Sequence, residues 1–233
     1  FMGRNTPAYC ASLDFLLERI NYERSTPLPY TKQHYRLNRM RRLLELLGDP
    51  HLACPVVHIA GTKGKGSVAW LLSETLRRAG YRTGLYTSPH LVDLEERFVV
   101  QGEQCQPEEL VELVDLLRPA AAELSEGELG APTFFELTTA IAWLHFRKSK
   151  TDIAVIEVGL GGRLDSTNVC SPELAFITSI SLDHQQQLGE TVGRIAGEKG
   201  GIIKNGVPVI SGATSSEATA VIEHIAYQMN ATL

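Results

Sequence analysis

The residues best suited to chemistry stand in one short run, Ala60-Gly61-Thr62-Lys63-Gly64-Lys65-Gly66-Ser67. Its glycines let the backbone curl closely around an anion, and an amphipathic segment begins directly after them. Lys65 can reach the outer phosphates of a nucleotide, and the Ser67 hydroxyl can face a magnesium ion. The run departs from the general pattern G-x-x-x-x-G-K-S/T, because Ile59 stands where the first glycine should be and Gly66 where the hydroxyl should be. Taken alone, an ordinary glycine-rich turn is the competing reading.

Two further places carry polar groups at the ends of apolar runs. Asp152 to Val158 ends in Glu157 and leads into Gly159-Leu160-Gly161-Gly162-Arg163-Leu164-Asp165-Ser166-Thr167-Asn168; Ala175 to Ile180 leads to Asp183-His184. A hard cation bridging phosphate oxygens wants oxygen ligands, which suits Ser67 and Glu157, whereas His184 is a softer donor. Each has a plainer reading: a strand-end glutamate is often solvated, a lone histidine is usually no ligand, and the glycine stretch reads equally as a loop with an Asx turn.

The elements that must position these groups follow from periodicity. Pro55 to Ala60 is β-branched and short, so it reads as a buried strand; Val68, Leu71, Leu72, Leu76 and Ala79 repeat at helical spacing, and Gly80 closes the helix. Arg82 to Thr87 is a second strand, so one βαβ unit surrounds the glycine run. Before it lie a helix over residues 7–24, broken at Pro27-Leu28-Pro29, and a helix from Leu37 to Leu47. Both are expected to pack across the sheet, with Arg36, Arg39, Arg41 and Arg42 on a solvated face. After it come a short edge strand in Glu96 to Gly102 and a helix from Pro107 to Leu124, which Pro119 is expected to kink or end early. A helix then opens at Thr133 and Glu136, which have capping-box spacing, and runs through Leu144. A strand from Val207 to Ile210 and a helix from Ser215 to Met229 complete the series. Strands alternating with helices predict an α/β fold, a mostly parallel sheet in three α/β/α layers, with ligands at the carboxyl ends of the strands.

With 233 residues and a net charge of −5, the chain can bury a substantial core and has no long basic stretch for tracking nucleic acid. Cys10, Cys54, Cys105 and Cys170 fall in no metal or disulfide pattern, so a reducing cytoplasm is the expected setting. No apolar run is long enough for a bilayer, and no signal-peptide layout opens the chain.

In order along the chain, the phosphate-type turn 61–67, Thr87-Ser88-Pro89-His90-Leu91, Phe134-Phe135-Glu136, Glu157 to Asn168, Asp183-His184 and Glu198-Lys199-Gly200-Gly201-Ile202 form a set that resembles folylpolyglutamate synthase. Bacterial members often also act as dihydrofolate synthase, and the family belongs to the Mur-ligase group of ATP-dependent amide-forming enzymes. The resemblance implies a Mur-ligase central domain with a variant P-loop over residues 51–233, behind the N-terminal helices of residues 1–50. It implies ATP held by Gly61, Thr62, Lys63, Gly64, Lys65, Gly66 and Ser67, and magnesium held by Ser67, Glu157 and His184. It implies a folate site at Thr87, Ser88, Pro89, His90, Phe135, Glu136, Asp165 and Asn168, with Lys65, His184 and Lys199 as catalytic groups, Lys199 matching a lysine that many members carbamylate. The implied reaction ligates L-glutamate to a reduced folate or to dihydropteroate, by a monomer, without nucleic acid or membrane. Lys63 and Gly200 depart from the usual Asn and Ala, and the family's second, Rossmann-like domain is absent from these residues. A nucleotide- and folate-binding module with little turnover, or another Mur-type amide ligase, is therefore the alternative reading.

Overall fold

The computed structural model describes residues 4, 6–21 and 37–233, so the break at Pro27-Leu28-Pro29 and Arg36 lie outside the described residues. In chain order its elements begin with α1 (Pro7–Leu17), α2 (Leu37–Leu46), β1 (Val56–Ala60), α3 (Lys65–Arg78), β2 (Thr83–Tyr86), β3 (Phe98–Val100) and β4 (Glu103–Gln104). There follow α4 (Pro107–Glu126), α5 (Phe134–Lys148), β5 (Ile153–Glu157), β6 (Leu174–Ile177), α6 (Gln185–Leu188), α7 (Val192–Gly200), β7 (Val209–Ser211) and α8 (Ser216–Gln228).

The strands form one sheet in the order β4-β3-β2-β5-β1-β6-β7. β2, β5, β1, β6 and β7 run parallel, while at one side β3 turns back antiparallel to β2 and β4 pairs antiparallel to β3. Apolar residues on both sides of each central strand are what a parallel sheet covered on two faces requires. Val57, Ile59, Leu85 and Val155 turn to one face, where α3 covers them with Val68, Ala69, Leu72 and Leu76. Val56, Tyr86, Ala154 and Ile156 turn to the other, under α5. Ala60, Ala175, Ile177 and Val209 pack with α7 and α8. The period of two decides where Glu157 goes: it shares parity with Val155 and pairs in register with Ile59, so it emerges on the face that carries α3.

α5 is buried nearly all round, from Phe134 and Leu137 to Trp143 and Phe146, because α1, α2 and α4 close over it. Each such side chain contributes about 1.5–3 kcal/mol by leaving water, which sets this helix firmly against the sheet. α1 and α2 therefore pack on the α4 and α5 layer and not directly across the sheet as the sequence suggested.

Three other expectations are corrected. Arg39 is buried and its Nε donates to both oxygens of Glu136 at 2.9 and 3.0 Å, so it is not on a solvated face. Pro119 neither ends nor shortens α4, which continues to Glu126. The proline is exposed, so the carbonyl it leaves unpaired faces water, while Leu117, Ala120, Ala121 and Leu124 hold both halves of the helix to the core. β3 is covered by β4 and is not the sheet edge.

Candidate active site

β1 delivers the chain into the glycine run, and α3 begins inside it at Lys65, with Gly64 as its N-cap. The N–H groups of Lys65, Gly66 and Ser67 open the helix and have no carbonyl one turn back to bond, so they stand ready for an anion at the positive end of the helix dipole. The turn is braced from the side by the segment after β6. Thr62 N–H donates to Ser179 O at 2.7 Å and Lys63 N–H to Ser179 Oγ at 3.1 Å, while Thr178 Oγ1 donates to Lys63 O at 2.7 Å. The Thr62 hydroxyl meets Ser181 O at 3.2 Å and accepts from Ser181 N–H at 3.1 Å. Gly61 is required by this contact, since a Cβ on it would sit 1.9 Å from Thr178 Oγ1.

Glu157 reaches the turn from the end of β5. Its Oε1 is 4.0 Å from Lys65 Nζ, and its carboxylate lies 3.4 Å from the place a Cβ on Gly66 would occupy, next in chain to Ser67. Its other oxygen accepts the Ser88 N–H at 3.1 Å, tying the Thr87 to His90 loop to the same strand end. Burial pushes the Glu157 pKa above the usual carboxylate value, against the downward pull of the Ser88 amide and the Lys65 charge.

Lys199 comes from α7 to lie under the turn. It is 4% exposed, and its Nζ donates to the Gly61 carbonyl at 2.8 Å. Burial first, and then the Lys65 charge, lower its pKa to about 8. Neighbouring Glu198 is occupied with Arg163 at 2.8 Å and offers Lys199 no surface pair. Gly200 lets α7 and α8 meet closely, because a Cβ there would stand 2.5 Å from Ile225 Cδ1.

Residues 59–210 match the Mur ligase middle domain. The chain belongs to the Mur ligase family.

Relatives of this Mur ligase domain agree in name. It is 45% identical over 189 residues to the dihydrofolate synthase/folylpolyglutamate synthase of Bacillus subtilis, covering 81% of this chain and 44% of that protein. A Thermotoga maritima folylpolyglutamate synthase superposes with a TM-score of 0.85 at 39% identity, over 97% of this chain and 49% of that one. An FPGS–AMPPCP–folate complex superposes with a TM-score of 0.87 at 35% identity, over 96% of this chain and 53% of that one. The chain thus spans about half the length of the relatives it matches.

Within the Mur ligase domain the remaining expected residues are placed unequally. Thr87, Ser88 and His90 are half-buried and Pro89 exposed, in a loop beside Glu157. Phe135 is half-buried, with its ring 2.5 Å from where a Cβ on Gly159 would stand, so it adjoins the glycine stretch after β5. Glu136, Asp165 and Asn168 are buried and brace the walls in place of presenting open faces. Glu136 accepts from Thr133 N–H, Thr133 Oγ1 and Arg39. Asp165 accepts from Leu160 N–H at 2.9 Å, Thr167 N–H at 3.0 Å and the Thr167 hydroxyl; Asn168 donates to Arg163 O and Gly201 O and accepts from Lys204. His184 is exposed at the start of α6, with its Nε2 3.9 Å from Asp183 Oδ2. Among the described residues no hydrogen bond or ion pair joins it to Glu157 or Ser67.

Sequence reasoning passed over three contributors. Thr178, Ser179 and Ser181 form the brace described above, and their signal is the hydroxyl cluster directly after a strand. Arg97 is a buried cation whose Nε donates to His90 Nδ1 at 2.9 Å and whose guanidinium lies 5.2 Å over the Phe134 ring. His58 sits mid-strand in β1, fully buried, 2.8 Å from Thr167 Oγ1. Because the Thr167 hydroxyl donates to Asp165, it must accept from His58 Nε2–H, which leaves the buried Nδ1 unpaired. Burial lowers the His58 pKa to about 3, so the ring is neutral.

Proposed function

We propose that this chain is the ATP-binding part of a folylpolyglutamate synthase, which ligates L-glutamate to the γ-carboxylate of a reduced folate and, as dihydrofolate synthase, to dihydropteroate. The observation that carries the reading is the meeting of Lys65, Glu157 and Lys199 at one helix-opening turn. The names and ligands of the relatives support it.

Gly61 to Ser67 wrap the triphosphate, with the open N–H groups of Lys65, Gly66 and Ser67 donating to it while Ser179 holds those of Thr62 and Lys63, and Lys65 holds charge on the γ-phosphoryl group. Magnesium fits the residues present: the Glu157 carboxylate is buried, with one oxygen accepting the Ser88 N–H at 3.1 Å and the other 4.0 Å from Lys65 Nζ, while Ser67, next in chain to the Gly66 that the carboxylate faces, would add a second hard oxygen, and His184, exposed at the start of α6, is the third proposed donor. Bound there, the ion would neutralise phosphate oxygens as charge moves in the transfer. Thr87, Ser88, Pro89, His90 and Phe135 receive the folate, while Glu136, Asp165 and Asn168 serve by fixing the start of α5 and the 159–168 loop. The folate γ-carboxylate attacks the γ-phosphorus of ATP, the bond from that phosphorus to the bridging oxygen breaks and ADP leaves, giving an acyl phosphate from which the glutamate amine then displaces phosphate to form the amide. A monomer suffices for this arrangement. The setting is the cytoplasm, which keeps the four free cysteines reduced. No helix among the described residues is long and apolar enough to cross a membrane.

The test is ADP release with ATP, magnesium, a reduced folate and L-glutamate present. Release should require both folate and glutamate, with the folate gaining one glutamyl unit by mass. Release indifferent to folate would overturn the assignment.

A further inference from the structure

Cys105, Glu109 and His145 take no part in the site above. Cys105 follows β4, Glu109 lies in the first turn of α4, and His145 lies in the last turn of α5. A thiol sulfur, a carboxylate oxygen and an imidazole nitrogen from these three residues all lie within 4.8 Å of one another. Cys105 and His145 are buried, and Glu109 is half-buried at the opening. At about 1.5 Å per residue, His145 is about 15 Å along α5 from Phe135, at the other end of the helix from the candidate active site.

Around a tetrahedral zinc ion with bonds of about 2.0–2.3 Å, neighbouring donor atoms stand about 3.3–3.8 Å apart. The three atoms need to draw together by about an ångström. The set combines a soft sulfur, an imidazole and one oxygen, which favours zinc over magnesium or calcium. Its surroundings suit ligands more than a closed hydrogen-bond network. The Glu109 carboxylate is oriented by Gln106 N–H at 2.9 Å, the Cys105 thiol has only a long contact of 3.6 Å to Gln106 O, and among the described residues no hydrogen bond is made by the His145 ring nitrogens. The nearby Lys148 cation is paired with Glu112 on α4. Burial keeps the His145 ring uncharged, with a lone pair open, and keeps the Cys105 sulfur protonated until a cation replaces its proton.

We propose that Cys105, Glu109 and His145 bind one zinc ion that clasps the start of α4 to the end of α5, with a solvent water in the fourth position. Binding forms the zinc–sulfur bond as the thiol proton leaves to solvent, without any change of oxidation state.

Cobalt(II) is the spectroscopic probe. The chain, stripped with chelator, should develop thiolate-to-cobalt charge-transfer absorption in the near ultraviolet that saturates at one equivalent and is abolished by zinc. Cys105→Ser should remove the absorption although Cys10, Cys54 and Cys170 remain. Glu109→Gln, at a half-exposed position, should keep the circular dichroism of the parent and weaken cobalt at least about tenfold; it decides alone should Cys105→Ser fail to fold. Cobalt at the phosphate turn has no thiolate partner, so this readout is independent of the nucleotide site. No charge-transfer absorption in the parent, its persistence in folded Cys105→Ser, or an unchanged affinity in Glu109→Gln overturns the proposal.

Discussion

Lys199 and His58 are ionisable groups placed where a charge is hard to keep, and each leads to a pH prediction. With its pKa lowered to about 8, Lys199 gains neutral amine as pH rises through that value, and the neutral amine is the form that captures carbon dioxide. Carbon-13 spectra of the protein in labelled bicarbonate should show a carbamate resonance that grows between about pH 7 and 9 and is missing in Lys199→Ala. A resonance that persists in the variant, or none in the parent, counts against a carbamate. His58 has the opposite consequence, for stability. Its folded pKa of about 3 lies below the unfolded value of 6.5, so the unfolded chain takes up a proton that the fold refuses. The stability is complete above pH 6.5 and is lost as pH falls toward 3, by up to about 5 kcal/mol. His58→Gln keeps a donor for Thr167 and should flatten that slope in urea titrations at stepped pH. An unchanged slope would mean that another group carries it.

At the level of elements, the start of α5 shows what the sequence discloses and what it hides. The capping box of Thr133 and Glu136 is legible from spacing alone, and it forms. Its third member is not: Arg39 lies 97 positions away, on a helix whose other arginines do face water. Removing one partner leaves the other charge buried, so Arg39→Met should destabilise by about 3–5 kcal/mol, against about 1 kcal/mol for Thr133→Ala. Denaturant midpoints of the two variants and of Arg39→Met with Glu136→Gln test this, with the double variant milder than the sum. Equal small effects would reduce the pair to a surface contact. Pro119 illustrates the converse, where a local rule is overridden because the apolar stripe of α4 is buried on both sides of the break.

In the whole molecule, alternation of strand and helix made the layers legible, and the carboxyl ends of β1 and β5 could be named as site edges in advance. Which strands adjoin could not be read, because order is set by crossovers and not by any local pattern. For the same reason the brace from Thr178, Ser179 and Ser181 appears only once β6 is seen beside β1. Asp165 and Asn168 look like ligand residues in a linear string, yet Asp165 turns back on the backbone of its own loop, and Asn168 ties that loop to Gly201 and Lys204 just past the end of α7. The central claim is that the β1–α3 turn holds the phosphates of a nucleotide through Lys65, and calorimetric titration with AMPPCP and magnesium tests it most directly. The account predicts binding of one equivalent by the parent, and affinity lower by at least about tenfold, or about 1.4 kcal/mol, in Lys65→Ala with an unchanged melting temperature. Equal affinity in the two proteins would contradict it.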